Sequence, residues 1–158
     1  FVAACKYPPV GNRSNGPIRA VLYSGSDYVK HANDTVLAIA MIETETAVQN
    51  LDEILSTPGL DGIYIGPSDL ALSYGREPVL DPKDEFVYDK MMEILAGAKK
   101  HGIPAGLHNG TAEFALKMID AGFLLVTIAN DSRMMAIGCQ QELGKMKGGK
   151  KGSSGSPY

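Results

Sequence analysis

The sequence predicts an α/β fold built on a parallel sheet, and three observations predict it. From about Val36 onward, short apolar runs of strand length alternate with stretches whose apolar residues recur at helical spacing. The apolar runs are continuous rather than alternating, the mark of strands covered on both faces. Turn and stop signals (Pro58-Gly59, Gly66-Pro67, Gly102 and Gly122) punctuate the switches between the two patterns.

The elements follow in order. KYPPVGNRSNGP, positions 6–17, is a turn-rich connection. Ile18, Val21, Leu22, Tyr28, Val29 and Ala32 have helical spacing, weakened by Ser24-Gly25-Ser26. VLAIAMI, Val36 to Ile42, reads as the first buried strand. In the helix after it, Thr46 and Gln49 are spaced as a capping box, and Val48, Leu51, Ile54 and Leu55 make one apolar face. Pro58-Gly59 stops it, and GIYIG, Gly62 to Gly66, is the second strand. A polar loop, SYGREPVLDPKD, leads to a helix with the stripe Val87, Met91, Ile94, Leu95 and Ala98, ended by Gly102 and Pro104. PAGLH is the third strand, followed by a helix with Ala115, Met118 and Ile119 inward. FLLVTIA is the fourth strand, and Asn130, Asp131 and Ser132 offer caps for a last helix. Met91, Met92, Met118, Met134 and Met135 read as core fillers. Residues 1–145 are expected to form one domain, and 146–158 a low-complexity, disordered tail.

Composition narrows the function. The chain has 158 residues, 44% of them hydrophobic, and a formal net charge of −3. That is enough for one real core and gives no basic footprint for nucleic acid. No apolar run approaches the roughly 20 residues that span a bilayer. The opening FVAACKYPPVG has no secretory pattern and no initiator Met, so a fragment or a processed product is expected. Cys5 and Cys139 lack metal-ligand spacing and read as free thiols of a reducing, cytoplasmic compartment, with a disulfide between them as the alternative. At this length a doubly wound sheet is the default, because a (β/α)8 barrel needs about 250 residues and this chain would supply half. The choice rests on the site residues.

Glu43 closes the first strand and Asp69 follows the second. In a parallel α/β fold both fall at the carboxyl-terminal edge, where ligands bind. On neighbouring strands they converge into an oxygen site suited to Mg2+ or Mn2+. The competing reading makes Glu43 a residue that caps or precedes a helix and Asp69 the N-cap of a short one. Asp69 also stands beside an apolar run, where a carboxylate is expensive unless paired. After the Gly66-Pro67 turn, the N–H groups of Ser68, Asp69 and Leu70 form a candidate anion cradle. No Lys lies within a strand, which disfavours Schiff-base chemistry. His108 ends the third strand and is either a substrate contact or an ordinary loop histidine; His31 and His101 read as surface residues. Asn109, Asn130 and Asp131 read as caps, and Lys6 and Arg13 face a neighbouring subunit or an anion.

Four segments, in order, carry a family likeness: KYPPVGNRS, HANDTVLAIAMIET, MIETETAVQNLDEILSTPGLDGIYIGPSDLALSYG and GFLLVTIANDSR. Together they closely resemble the HpcH/HpaI aldolase family, over nearly the whole chain except the tail. The resemblance implies a (β/α)8 barrel of the phosphoenolpyruvate/pyruvate type, with this chain holding its last four βα units. It implies a class II aldolase that cleaves a 4-hydroxy-2-oxo acid to pyruvate and an aldehyde, a divalent metal stabilising the pyruvate enolate. It makes Glu43 and Asp69 the metal ligands, and Ser68 and Asp69 the backbone donors to the substrate carboxylate. A homo-oligomer, a hexamer with exchanged helices, is also implied, with no nucleic-acid or membrane partner. The family's catalytic His and pyruvate-contacting Arg come from earlier strands, and nothing here matches them. Lys6 stands where many members carry Arg. Two other readings stay open: a citrate-lyase-like acyl-CoA lyase, for which no clear basic phosphate patch is present, and a truncated chain that binds metal but is inactive.

Overall fold

Four short strands carry the structure, a computed structural model that describes residues 1–146. They are β1 (Ile39–Ile42), β2 (Gly62–Ile65), β3 (Ala105–Asn109) and β4 (Leu125–Ile128). The helices are α1 (Val2–Cys5), α2 (Ile18–Ser24), α3 (Tyr28–Thr35), α4 (Glu45–Gln49), α5 (Leu51–Leu55), α6 (Pro67–Ser73), α7 (Glu85–His101), α8 (Ala112–Ala121) and α9 (Asp131–Met146). The tail expected to be disordered lies outside the described residues, apart from Met146 at the end of α9.

The strands pair in parallel in the order β1-β2-β3-β4. A doubly wound sheet reverses direction at a switch point. Here each crossover steps the same way, which is how a barrel winds. The α/β fold expected from the alternating pattern is therefore present, and its topology selects the barrel type.

One face of the sheet is packed. Ile42, Ile63, Ile65 and Leu107 form a continuous core with Leu51 and Leu55 of α5, Val87, Met91, Ile94 and Leu95 of α7, and Met118 of α8. The other face is open among the described residues: Met41 is 50% and Leu125 47% exposed. The continuous apolar runs predict strands covered on both faces; among the described residues only one face is covered, because every helix between strands crosses on the same side.

Local chemistry explains the boundaries. Gly102 and Gly122 end α7 and α8 in the left-handed conformation, with φ of 68° and 111°. Gly25, at φ 88°, separates α2 from α3 where the sequence placed a weak point. The first strand is shorter than expected, because α3 runs to Thr35 and only Ile39–Ile42 pair with β2. The capping box at Thr46 does not form. Thr44 caps α4 instead, accepting from Ala47 N at 3.1 Å, and Asn50 separates α4 from α5. Ile119 is 49% exposed rather than inward, while Ala115 and Met118 are buried. Met134 and Met135 are also exposed, because α9 buries no residue among those described.

At the amino-terminal edge a polar staple holds the first segment. Lys6 Nζ donates to the carbonyls of Asn33 (2.9 Å) and Val36 (2.6 Å) and lies 3.7 Å from Asp61. The Asn33 amide pairs with both the N–H and the carbonyl of Tyr7. Asp61 accepts from Ala38 N at 2.7 Å. Arg13 lies over the Tyr7 ring and bonds the Tyr28 hydroxyl. Lys6 and Arg13 are thus occupied within the chain rather than offered to an anion.

Candidate functional site

The carboxyl-terminal edge is built by two tight exits from adjacent strands. β1 ends at Ile42, paired with Ile65, so the next residues, Glu43 and Gly66, stand side by side. A Cβ built on Gly66 would lie 2.7 Å from Glu43 Oε2 and 3.5 Å from Glu43 Cβ. The half-buried carboxylate therefore occupies the space that a side chain at position 66 would fill. Gly66 is also the N-cap of α6, with Pro67 at its first position and Asp69 in its first turn.

The competing reading holds in part: Glu43 precedes the α4 cap and Asp69 lies in the first turn of α6, but neither acid is itself a cap. Thr44 caps α4, and Gly66 holds the cap position of α6. Among the described residues neither the Glu43 nor the Asp69 carboxylate takes a hydrogen bond or an ion pair. The Asp69 side chain is exposed beside the fully buried Leu70. Its place therefore costs no desolvation, contrary to the expectation that it would need a partner to stand beside the core. Leu70 N donates to Gly66 O at 2.9 Å, so this amide does not belong to the anion cradle. The Ser68 and Asp69 amides open the helix, where N–H groups have no intrahelical acceptor.

Two carboxylates without protein partners, on neighbouring strand exits, are a donor set that suits a hard divalent cation. No cluster of three or more His, Cys, Asp or Glu residues occurs among the described residues. A cation held by this pair would complete its shell with substrate and water oxygens, as Mg2+ commonly does.

A second polar group lies on the same open face. Gly106 pairs with Tyr64 on one side and Leu125 on the other. A Cβ on Gly106 would sit 2.7 Å from Tyr64 Cδ2, so the glycine lets the ring lie across β3. The Tyr64 hydroxyl reaches Thr127 Oγ1 at 2.9 Å and His108 Nδ1 at 3.3 Å; Thr127 Oγ1 is 2.8 Å from the same nitrogen. His108 is thus a strand residue in a network rather than a loop histidine. Sequence reading singled out neither Tyr64 nor Thr127. The available signal was phase: Tyr64 and His108 each lie between buried chain neighbours, and Thr127 pairs with His108, so all three share the opposite face.

The remaining candidates have structural roles. His31 and His101 pair with Asp27 (3.5 Å) and Asp52 (2.7 Å). Asn130 accepts from Arg133 N and Ser132 Oγ at the start of α9, as a cap does. Asn109 caps nothing: Thr111 caps α8, and Asn109 is fully buried with its Oδ1 unpartnered. Asp81 accepts from Gly110 N and from Thr111 Oγ1, both at 2.7 Å, and so ties the loop before α7 to the β3–α8 turn. Cys5 and Cys139 are free thiols. No helix among the described residues is long and apolar enough to cross a membrane.

Comparison with known proteins places these residues in context. The HpcH/HpaI aldolase/citrate lyase family model matches residues 1–136. A hydroxypyruvate/pyruvate aldolase of Rhizorhabdus wittichii is 40% identical over 141 residues, covering 89% of this chain and 56% of the relative. A 2-dehydro-3,6-dideoxy-6-sulfogluconate aldolase of Pseudomonas putida is 32% identical over 149 residues, covering 93% of this chain and 58% of the relative. The crystal structure of an HpcH/HpaI aldolase/citrate lyase family protein from Burkholderia cenocepacia superposes with a TM-score of 0.79 at 28% identity, over 92% of this chain and 58% of that one. The chain thus spans little more than half the length of the proteins it matches.

Proposed function

The chain belongs to the HpcH/HpaI aldolase/citrate lyase family, and from that premise we propose that its four βα units serve a carbon–carbon lyase. The reaction is cleavage of a 4-hydroxy-2-oxo acid to pyruvate and an aldehyde. The observation that carries this reading is the Glu43 carboxylate seated over Gly66, next to the turn that bears Asp69, with neither acid used as a cap or an ion pair. Glu43 and Asp69 would hold the divalent cation, Mg2+ or Mn2+. The chemistry supplied by such a cation is Lewis-acid stabilisation of the negative charge that develops on the 2-oxo group.

The chain's own residues bind and orient. The Ser68 and Asp69 amides donate to the substrate carboxylate, where the α6 terminus adds favourable partial charge. Gly66, lacking a side chain, leaves room for the Glu43 carboxylate. We assign the proton acceptor for the 4-hydroxyl to the portion of the barrel that the relatives have and this chain does not span. In this reading residues 1–145 are the last four βα units of that barrel.

The test is pyruvate release from a 4-hydroxy-2-oxo acid by the full-length protein, with Mg2+ or Mn2+ and with chelator. Metal-dependent release that is lost in Glu43→Gln and Asp69→Asn supports the reading. Undiminished release by both variants refutes the site. A second reading applies to the 158-residue chain alone, and the open sheet face favours it. With β1 and β4 unpaired at their outer edges among the described residues, that chain binds metal, associates with other copies and does not turn over.

A further inference from the structure

Three strands deliver Tyr64, His108 and Thr127 to one point, and none of these residues caps a helix or forms an ion pair. The triangle must share two hydroxyl protons and one imidazole proton. When Tyr64 donates to Thr127 and Thr127 donates to His108 Nδ1, both hydroxyl protons are used and the ring proton sits on Nε2. The reverse order, with Nδ1–H donating to Thr127 and Thr127 to Tyr64, leaves the Tyr64 hydroxyl without an acceptor among the described residues. Each order leaves one donor unpaired, Nε2–H in the first and the Tyr64 hydroxyl in the second, and both anchor the ring. In the first order the free donor is Nε2–H, at the end of the ring distal to the strand; among the described residues Nε2 has no partner.

The register places this donor relative to Glu43. Glu43, Gly66 and His108 fall in one row across β1, β2 and β3. Neighbouring strands lie about 4.8 Å apart, so the outer two backbones are separated by about 10 Å. The residue between them is a glycine, over which Glu43 already leans. Glu43 Oε2 and Met41 Cε overlie Gly66 from one side and the imidazole stands on the other, so a small oxo acid held at the carboxylate extends toward the ring.

We infer that His108 Nε2–H donates to a hydroxyl on the carbon chain of the substrate, so that the site prefers a hydroxylated 2-oxo acid to its deoxy counterpart. The inference rests on the proposed anchoring of a 2-oxo acid at Glu43 and Asp69. His108 is the specificity-determining residue, and Thr127 and Tyr64 position it.

Pyruvate and 3-hydroxypyruvate differ by one hydroxyl and are the probes. The full-length protein with Mg2+ is titrated with each, and the ratio of their dissociation constants is measured for the wild type, His108→Leu, Thr127→Val and Thr127→Ser. Imidazole 15N spectra are recorded in parallel. This chain contributes three histidines, so His108→Leu identifies the His108 signals by their loss. The expected result is an Nε2-protonated ring in the free protein whose signal moves with hydroxypyruvate and not with pyruvate. The preference for hydroxypyruvate should fall about fivefold in His108→Leu, the size of one net hydrogen bond. It should fall in Thr127→Val and recover in Thr127→Ser, a pattern that a packing role alone does not produce. Binding of both acids with an unchanged ratio in His108→Leu, or a His108 signal that responds equally to both, overturns this inference and leaves the aldolase reading standing. Binding of neither acid overturns both.

Discussion

Gly66→Ala separates the carboxylate site from the stability of the fold. Gly66 has φ −99° and ψ 94°, a conformation open to any residue, so alanine adds no backbone strain. The new Cβ would instead stand 2.7 Å from Glu43 Oε2, where ordinary contact begins at 3.4 Å. The carboxylate must retreat by about 0.7 Å or turn away. Metal–oxygen distances tolerate only about 0.2 Å, so a shift of that size removes Glu43 from a shared coordination sphere. The fold has little to lose: the clashing atom ends a flexible side chain, and Gly-to-Ala changes at compatible backbone positions contribute about 0.4–1 kcal/mol in the stabilising direction. Mn2+ affinity should therefore drop by at least the roughly 10–100-fold typical of disturbing a ligand's support, with the melting temperature maintained or slightly raised. Calorimetric Mn2+ titration beside thermal unfolding reads both quantities on one sample. Unchanged affinity in a folded Gly66→Ala protein would show that Glu43 does not contact the metal.

The other predictions follow from the same geometry. Asp61→Asn weakens a charge-assisted bond to Ala38 N at the opposite edge, so it should cost on the order of 1 kcal/mol of stability and leave Mn2+ affinity unchanged in the same titration. Thr44→Ala removes the α4 cap and should cost about 1 kcal/mol by denaturant unfolding; a neutral result would mean that the helix start is held by other contacts. Arg76, hydrogen-bonded to Asp84, holds that carboxyl below its ordinary value of 3.8. On acidification the unfolded chain binds the proton first, so the pair's contribution is present above about pH 4 and is lost as pH falls through the lowered value. Melting temperatures followed into the acid range should therefore decline less steeply in Asp84→Asn than in the wild type. The isolated 158-residue chain should self-associate through the free edges of β1 and β4; a stable monomer at micromolar concentration in sedimentation would count against an open half-barrel.

Much of the fold was legible because its signals are local. The α7 stripe at Val87, Met91, Ile94, Leu95 and Ala98 is the buried face of that helix, and Gly102 ends it as a left-handed cap must. What misled was any inference about partners. A continuous apolar run does not say whether a second layer covers it, so Met41 and Leu125 read as interior residues and are half exposed. Thr44 and Thr46 both precede plausible first turns, and only the end of β1 at Ile42 decides that the earlier one caps. The position of Glu43 and Asp69 after consecutive strands was legible because each acid follows an apolar run closely in sequence; their joint use as ligands stays a proposal. The Tyr64–His108–Thr127 network was not, since its members lie 44 and 19 residues apart in sequence and meet only through the strand register.

The open face also explains why its glycines fall where they do. Gly66 and Gly106 each stand between residues of flanking strands, and each is overlain by a side chain from a neighbouring strand: Glu43 in one case and Tyr64 in the other. A strand glycine weakens a sheet, having no side chain to pack and more conformational freedom to lose. Gly106, inside β3, carries that cost, while Gly66 follows β2 as the α6 N-cap. Here each vacancy brings a polar group over the middle of the sheet, Glu43 toward the α6 turn and the Tyr64 hydroxyl to Thr127 and His108. If the glycines served only to relieve crowding, larger residues at 66 and 106 would disturb stability and the polar groups in proportion. If they serve the site, Gly66→Ala should disturb the carboxylate with the fold intact, while Gly106→Ala, which also brings its Cβ to 3.0 Å from Leu125 O, should shift the His108 imidazole signals at a real cost in stability. Backbone cannot give way as a side-chain tip can, and that difference in what each Cβ meets sets the order of the two effects.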